Sequence, residues 1–247
     1  MRTRVVGAPA MAPRRVGAIP LRRLVRDVSS VLIVSGLLLM IDAGVTLLWQ
    51  EPVTAVIGAV QQANINKQYL SFNTAPLTQV QRHVLVALPS LQQRIAYLAR
   101  REQHQVGTGD AIGKSTIPKI GASYTVVQGT DESSLEKGPG HYPDTAFPGL
   151  GQTVAIAGHR TTYLAPFRHV DSLKPGDRIL VKMPYGLFTY VVQYHRIVLP
   201  TALWVTHDVG YERLVLSACN PLYSAAQRII IFGRLKSVTP LGPARRA

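Results

Sequence analysis

Ser29 to Trp49 is a run of 21 residues broken by one charge, Asp42. At ~1.5 Å of rise per residue a helix of that length covers roughly 30 Å, the thickness of a bilayer's hydrocarbon core. The run therefore partitions the chain between lipid and water before any other element is considered. Seven arginines precede it (Arg2, Arg4, Arg14, Arg15, Arg22, Arg23 and Arg26) against one acid, Asp27. By the positive-inside rule the N-terminus is expected in the cytoplasm and the catalogue of residues after Trp49 outside it. Asp42 would cost ~2–3 kcal/mol at the bilayer centre, but it lies toward the outer end, within reach of water. A cleaved signal peptide is the rival, with Val31 to Ile41 as its apolar segment. No small-residue cleavage site is evident and the apolar character continues through Val45, Leu47 and Leu48, so the run is expected to be an uncleaved single-pass anchor in the cell membrane.

The expected organisation follows: a basic cytoplasmic tail, disordered for want of apolar periodicity, over 1–28, an anchor over 29–49, a helical stalk over 50–106, a β domain over 107–238 and a C-terminal tail over 239–247. In the stalk Val53, Val56, Ile57 and Val60 fall at helical spacing. After the Ala75-Pro76 break, Thr78 with Gln81 and Ser90 with Gln93 match the capping box. Gly107 to Ser115 has the flavour of a phosphate loop, but Thr108 stands where the pattern needs glycine and no helix follows to bind a phosphate. It reads as a linker.

From Ser115 onward short apolar runs alternate with turn residues. Ile117–Ile120, Tyr124–Val127, Thr153–Ala157, Arg178–Lys182, Phe188–Tyr194, Arg196–Leu199, Leu214–Leu216 and Ile229–Phe232 read as strands. Lys174-Pro-Gly-Asp177 and Pro184-Tyr-Gly-Leu187 read as turns, and Lys137 to Pro143 as a loop. The spacing predicts an all-β fold, sandwich or barrel, with short helices. The formal charge of +14 does not point to nucleic acid, because beyond the N-terminal arginines the basic residues are scattered rather than gathered in a stripe.

Cys219 is the only cysteine, so it has no intrachain disulfide partner and belongs to no multi-cysteine metal site. It sits where a buried strand must stop, at Asn220-Pro221, and Arg228 opens the next apolar run. A thiol attacks only as thiolate and needs a base or cation beside it. Among the seven histidines His159 repeats the cysteine's placement at the end of a short strand; His141, in the Gly-Pro-Gly-His-Tyr-Pro loop, is the second choice. His169, His195 and His207 lie in polar, turn-like sequence, and His83 and His104 lie on the stalk. No ligand cluster marks a metal site, and no cofactor is expected.

Thr153 to Thr162, Leu214 to Pro221 and Ser224 to Ile230 together resemble the three signature segments of sortases, the membrane-anchored cysteine transpeptidases of Gram-positive bacteria. The resemblance spans roughly residues 110 to 238. Lys137 to Pro143 and Pro221 to Arg228 are most similar to the class E group of actinobacteria. The resemblance implies an eight-stranded barrel, with Cys219 as nucleophile, His159 as acid/base and Arg228 as the group that positions substrate and stabilises the oxyanion. It implies secreted proteins with a C-terminal Leu-Pro/Ala-x-Thr-Gly-type signal as donors, and a peptidoglycan precursor or other cell-wall amine as acceptor. Tyr142, Thr161, Thr162, Ser217 and Tyr223 flank the signature segments as candidate substrate contacts. Class E relatives commonly carry histidine after the cysteine; here it is Asn220. No second apolar segment follows residue 238, unlike the pilin-polymerase class. The alternative reading is a non-catalytic envelope-binding module with Cys219 merely buried. A papain-like hydrolase fits poorly, since there cysteine precedes histidine.

Overall fold

The computed structural model describes residues 21–48, 52–73 and 77–245, which fall into two compact units, one ending at Gly44 and one starting at Val45. The expected tail through residue 20, the interfacial Trp49 and the Ala75-Pro76 break lie outside the described residues.

The first unit is helix α1, Leu21–Leu48, which continues past Gly44. It is long and apolar enough to cross a membrane by length and composition. Among the described residues it already covers Leu21 to Val28, which the sequence assigned to the tail. Leu21, Leu24, Val25 and Val28 carry the apolar pattern backwards, and the intervening arginines are good helix formers.

The second unit runs through helices α2 (Pro52–Asn73), α3 (Gln79–Ala87) and α4 (Leu91–Gln105) into strands β1 (Ala111–Ile117) and β2 (Ala122–Gln128). A short helix α5 (Glu132–Leu135) precedes β3 (Gly140–His141) and β4 (Thr153–Ala157). Strands β5 (Arg178–Met183), β6 (Gly186–Val198), β7 (Arg213–Asn220) and β8 (Gln227–Pro240) follow, then α6 (Gly242–Arg245). The eight strands close into a barrel in the order β1-β2-β3-β4-β7-β8-β6-β5, with β1 and β5 completing the ring.

Both capping boxes form: Thr78 and Ser90 accept the backbone N–H groups of Gln81 and Gln93, whose side chains accept in return. Each is worth about 1 kcal/mol. They start α3 and α4, which are more than a spacer. Leu85, Ile95, Leu98 and Ala99 belong to the same core as Ile156, Phe188, Leu216 and Ile231 inside the barrel. The expected boundary at residue 106 is thus not a packing boundary. Helix α2 also lies on the barrel: Ile65 and Tyr69 pack with Ala111 and Val127, and the Gln62 amide donates to the carbonyls of Thr125 and Lys137 while accepting the Thr125 N–H.

Four strand expectations need correcting. Of Ile117–Ile120 only Ile117 is strand, the last residue of β1; Pro118, which has no N–H to give to a ladder, opens a 3₁₀ turn over Pro118–Ile120. The second half of the expected linker 107–115 is β1. Gly113 hid it, being there because a Cβ would come within 2.7 Å of Met183 Sδ and 2.8 Å of Lys182 O. Phe188–Tyr194 and Arg196–Leu199 are one strand, β6, in which a register shift between Val192 and Tyr194 reverses which side chains face inward; His195 is therefore an exposed strand residue, not a turn residue. The loop at Lys137–Pro143 contains β3. The tail expected from residue 239 is also shorter, since β8 runs to Pro240 and Ala244 of α6 is buried in the core.

Alternation decides which face carries function. Val154 and Ile156 of β4, Leu214, Leu216 and Ala218 of β7, and Ile229 and Ile231 of β8 point into the barrel core. Ala155, Val215, Ile230 and Phe232 form a second cluster on the outer face, covered by Val205.

Candidate active site

Strands β4 and β7 are parallel, with Ala157 opposite Ser217, and the Gly158 N–H extends the ladder by donating to Ser217 O at 3.0 Å. Two residues beyond that pair in each chain stand His159 and Cys219. On the other side of β7, Cys219 is directly opposite Arg228 in the antiparallel pairing with β8. By parity Cys219 and Arg228 share the outer face with Ala155, Val215 and Ile230. The structure thus sets Cys219 and Arg228 directly opposite each other at one end of this sheet face, with His159 two residues beyond the end of the adjoining strand β4.

His159 is half-buried, and its Nε2 is enclosed without a hydrogen-bond partner among the described residues. Burial pulls its pKa below the usual histidine value, against the opposing charges of Glu136 and Glu132. The ring lies 5.4 Å from that of Tyr163, whose hydroxyl donates to Glu136 Oε1 at 2.8 Å. Tyr163, Leu164 and Ala165 all have left-handed backbone, with φ of 47°, 66° and 43°. Such conformations cost about 1–3 kcal/mol each in non-glycine residues and persist only where neighbours impose them. Here α2 is the neighbour: Thr54 Oγ1 accepts the Tyr163 N–H at 3.1 Å, and a Cβ on Gly58 would sit 2.9 Å from the Tyr163 carbonyl carbon.

Cys219 is half-buried with a free thiol. Arg228 is half-buried as a residue, and its guanidinium donates to Ala225 O and Gln227 O at 2.9 and 3.0 Å, which anchors it to the loop leading into β8. Further along the same face Trp204 stacks on Phe232 at 6.3 Å, and Arg196 lies over Tyr194 and Trp204. Arg213 ties that wall down by donating to Val205 O and His207 O.

The flanking candidates are spread unevenly. Ser217 is buried in β7 on the face of Cys219, two residues upstream. Tyr142 packs on the outer cluster and donates its N–H to Ala155 O. Thr161 and Thr162 follow His159 in the loop and are half-buried. Tyr223 is exposed, and its hydroxyl accepts from Arg168 at 3.1 Å. Sequence reasoning missed Arg160, Tyr163 and Glu136. Arg160 and Tyr163 were in view beside His159, but nothing local signals that either is held by distant residues.

His141 is not part of this constellation. It is 1% exposed, with Nδ1 2.9 Å from Gln128 Oε1 and Nε2 3.0 Å from Ala146 O. Burial outweighs the Ala146 carbonyl and pulls its pKa down to about 4. Because the unfolded chain takes up a proton that the folded state refuses, this group's contribution to stability is lost as pH falls from ~6.5 toward 4, by about 3 kcal/mol. Denaturant unfolding at both ends of that window should show the wild type losing about that much more than His141→Gln; equal losses would refute the assignment.

Residues 116–236 match the family described as Sortase domain. The chain is 37% identical over 131 residues to Sortase D of Bacillus subtilis, covering 51% of this chain and 65% of that protein. It is 28% identical over 140 residues to Sortase SrtE1 of Streptomyces coelicolor, covering 50% of this chain and 40% of the other. The matches thus span less than two thirds of these relatives' own lengths. Among solved structures, sortase E from Streptomyces avermitilis superposes with a TM-score of 0.50 at 32% identity, covering 54% of this chain and 93% of that one. Sortase E1 from Streptomyces coelicolor, solved with a tripeptide in its active site, gives 0.52 at 26% identity, covering 53% and 91%.

Proposed function

The chain belongs to the sortase family, and on that premise we propose that it is a membrane-anchored cysteine transpeptidase with Cys219, His159 and Arg228 as its catalytic residues. The register supports this reading: Cys219 stands opposite Arg228 in the β7–β8 ladder, and His159 follows two residues after Ala157, the last β4 residue paired with β7.

The Cys219 thiolate adds to the threonine carbonyl of a Leu-Pro/Ala-x-Thr-Gly-type signal and forms the C–S bond. Arg228 faces the oxygen on which charge develops. Collapse breaks the Thr–Gly C–N bond as His159 hands a proton to the departing glycine nitrogen, leaving a thioester. An amine of the cell-wall precursor then attacks that carbonyl, gives its proton to His159 and expels the thiolate. A desolvated imidazole suits this cycle, because it gives up its proton readily and takes it back in the second half. Tyr142, Thr161, Thr162, Ser217 and Tyr223 would contact the signal peptide. The apolar length of α1 and the arginines at its start support an anchor with a cytoplasmic N-terminus and an extracellular barrel.

The test uses the full chain in detergent with fluorogenic Leu-Pro-x-Thr-Gly and Leu-Ala-x-Thr-Gly peptides, with and without an amine. Cysteine-dependent cleavage with an amine adduct supports the reading; an inert thiol and no cleavage favour an envelope-binding module instead. Arg228→Lys keeps the charge but loses the planar fork, so kcat should fall about 10²–10³-fold with a smaller change in KM. Wild-type kcat in that variant would remove Arg228 from the mechanism.

A further inference from the structure

We infer that Arg160 is a positioning residue that fixes the main chain of Cys219 by replacing a missing rung of the β4–β7 ladder with its side chain. The inference rests on the proposed role of Cys219. In the parallel ladder the Gly158 N–H donates to Ser217 O. The alternation of such a ladder assigns the next rung to the N–H of residue 160 and the carbonyl of residue 219. The chain leaves the sheet at His159, however, and it is the Arg160 guanidinium that reaches Cys219 O, through Nη1 at 3.3 Å.

The same nitrogen donates to Asn220 Oδ1 at 3.1 Å. Nε and Nη2 both donate to Arg168 O at 3.2 Å, and Nη2 pairs with Asp171 Oδ2 at 2.9 Å. The guanidinium is only 3% exposed. A charge that deep is tolerated because all three nitrogens have partners, and only a rigid fork serves three directions at once. One buried group therefore joins the loop that carries His159, the segment from Arg168 to Asp171, and the strand end that carries the thiol.

Asn220 completes the device. Its Oδ1 accepts from Arg160 while its Nδ2 donates to Gln227 Oε1 at 3.3 Å, across the rung next to the one shared by Cys219 and Arg228. The amide thus uses an acceptor and a donor together, which gives a physical reason for asparagine at this position. Small displacements of reacting groups cost large factors in rate, about 10²-fold for 1 Å, so loosening this clamp should act on turnover more than on binding.

The experiment compares the wild-type chain with Arg160→Lys, Asn220→Ala, Asn220→Asp and the Arg160→Lys/Asn220→Ala double variant. Three quantities are read: kcat and KM for sorting peptides, the iodoacetamide alkylation rate of Cys219, and Tm. Arg160→Lys should lower kcat about 10–100-fold with KM nearly unchanged, and should alter the alkylation rate. Asn220→Ala should lower kcat about threefold to tenfold, Asn220→Asp should restore most of it by keeping the acceptor, and the double variant should resemble Arg160→Lys alone. If Arg160→Lys fails to fold, the two Asn220 variants carry the test. Wild-type kcat and alkylation in folded Arg160→Lys, or in Asn220→Ala, would overturn the inference. A wild-type chain that cleaves no sorting peptide, yet whose alkylation rate shifts in Arg160→Lys, would refute the proposed function and keep the positioning role.

Discussion

Cys219→Ala is expected to lower peptide cleavage and amine transfer by at least about 10⁴-fold while leaving Tm close to wild type. The size follows from the chemistry: without the sulfur there is no covalent intermediate, and the remaining groups of such a site act as a unit that retains little catalysis on its own. The small stability effect follows from the structure. Cys219 lies near the end of β7, half-buried and outside the three core clusters, so truncating it opens no cavity in the barrel interior. Stopped-time mass spectrometry of the wild type with peptide and no amine should trap an adduct with the acyl fragment's mass on Cys219. Residual cleavage above about 1% in the alanine variant, or an adduct elsewhere, would end the transpeptidase reading.

The second large effect concerns stability rather than turnover. Glu102 of α4 is 3% exposed, faces the barrel core and has its Oε1 buried without a hydrogen-bond partner among the described residues. Burial, opposed by Arg101, pushes its pKa up to about 8. The folded state therefore keeps a proton that the unfolded chain releases near pH 4.5. The group's contribution is complete below that point and is lost as pH rises through about 8, on the order of 5 kcal/mol over the window. Glu102→Gln abolishes the titration. Denaturant unfolding at pH 5 and pH 9 should show the wild type losing several kcal/mol more than the variant, and parallel losses would refute the claim. Between pH 4.5 and 6.5 this slope opposes that of His141, so the two show separately only in the variants.

The sequence made some elements plain and hid others for physical reasons. Strands β4, β5 and β7 are near-continuous apolar runs ended by glycine or proline, and the placing of Cys219, Arg228 and His159 at or just beyond the ends of β7, β8 and β4 was legible from those strand ends. β1 was concealed because Gly113 and Lys114 interrupt its apolar character, although tight packing against Met183 is what demands the glycine. β6 looked like two strands because its inward face changes sides at the bulge near Gln193. The stripe of Ile95 and Leu98 on α4 was visible, but its partner is the barrel core, far along the chain. Arg160 was least legible. A basic residue in a loop reads as surface, and only the return of β7 some 59 positions later buries it. The Thr54–Tyr163 contact spans 109 positions and has no local signature at all.

The barrel's closure has a consequence for how the molecule resists association. Its ring is joined at β3 by only two paired residues on each side: Gly140 and His141 bridge Val127 and Gln128 of β2 to Ile156 and Ala157 of β4. The bond between the His141 ring and Gln128 runs across that narrow seam and clasps it from within. While the clasp holds, the hydrogen-bonding rims of β2 and β4 are covered and offer no template to another copy. The narrow seam at β3 is therefore where this fold guards itself against edge-to-edge aggregation, held by its backbone pairing and a buried imidazole together.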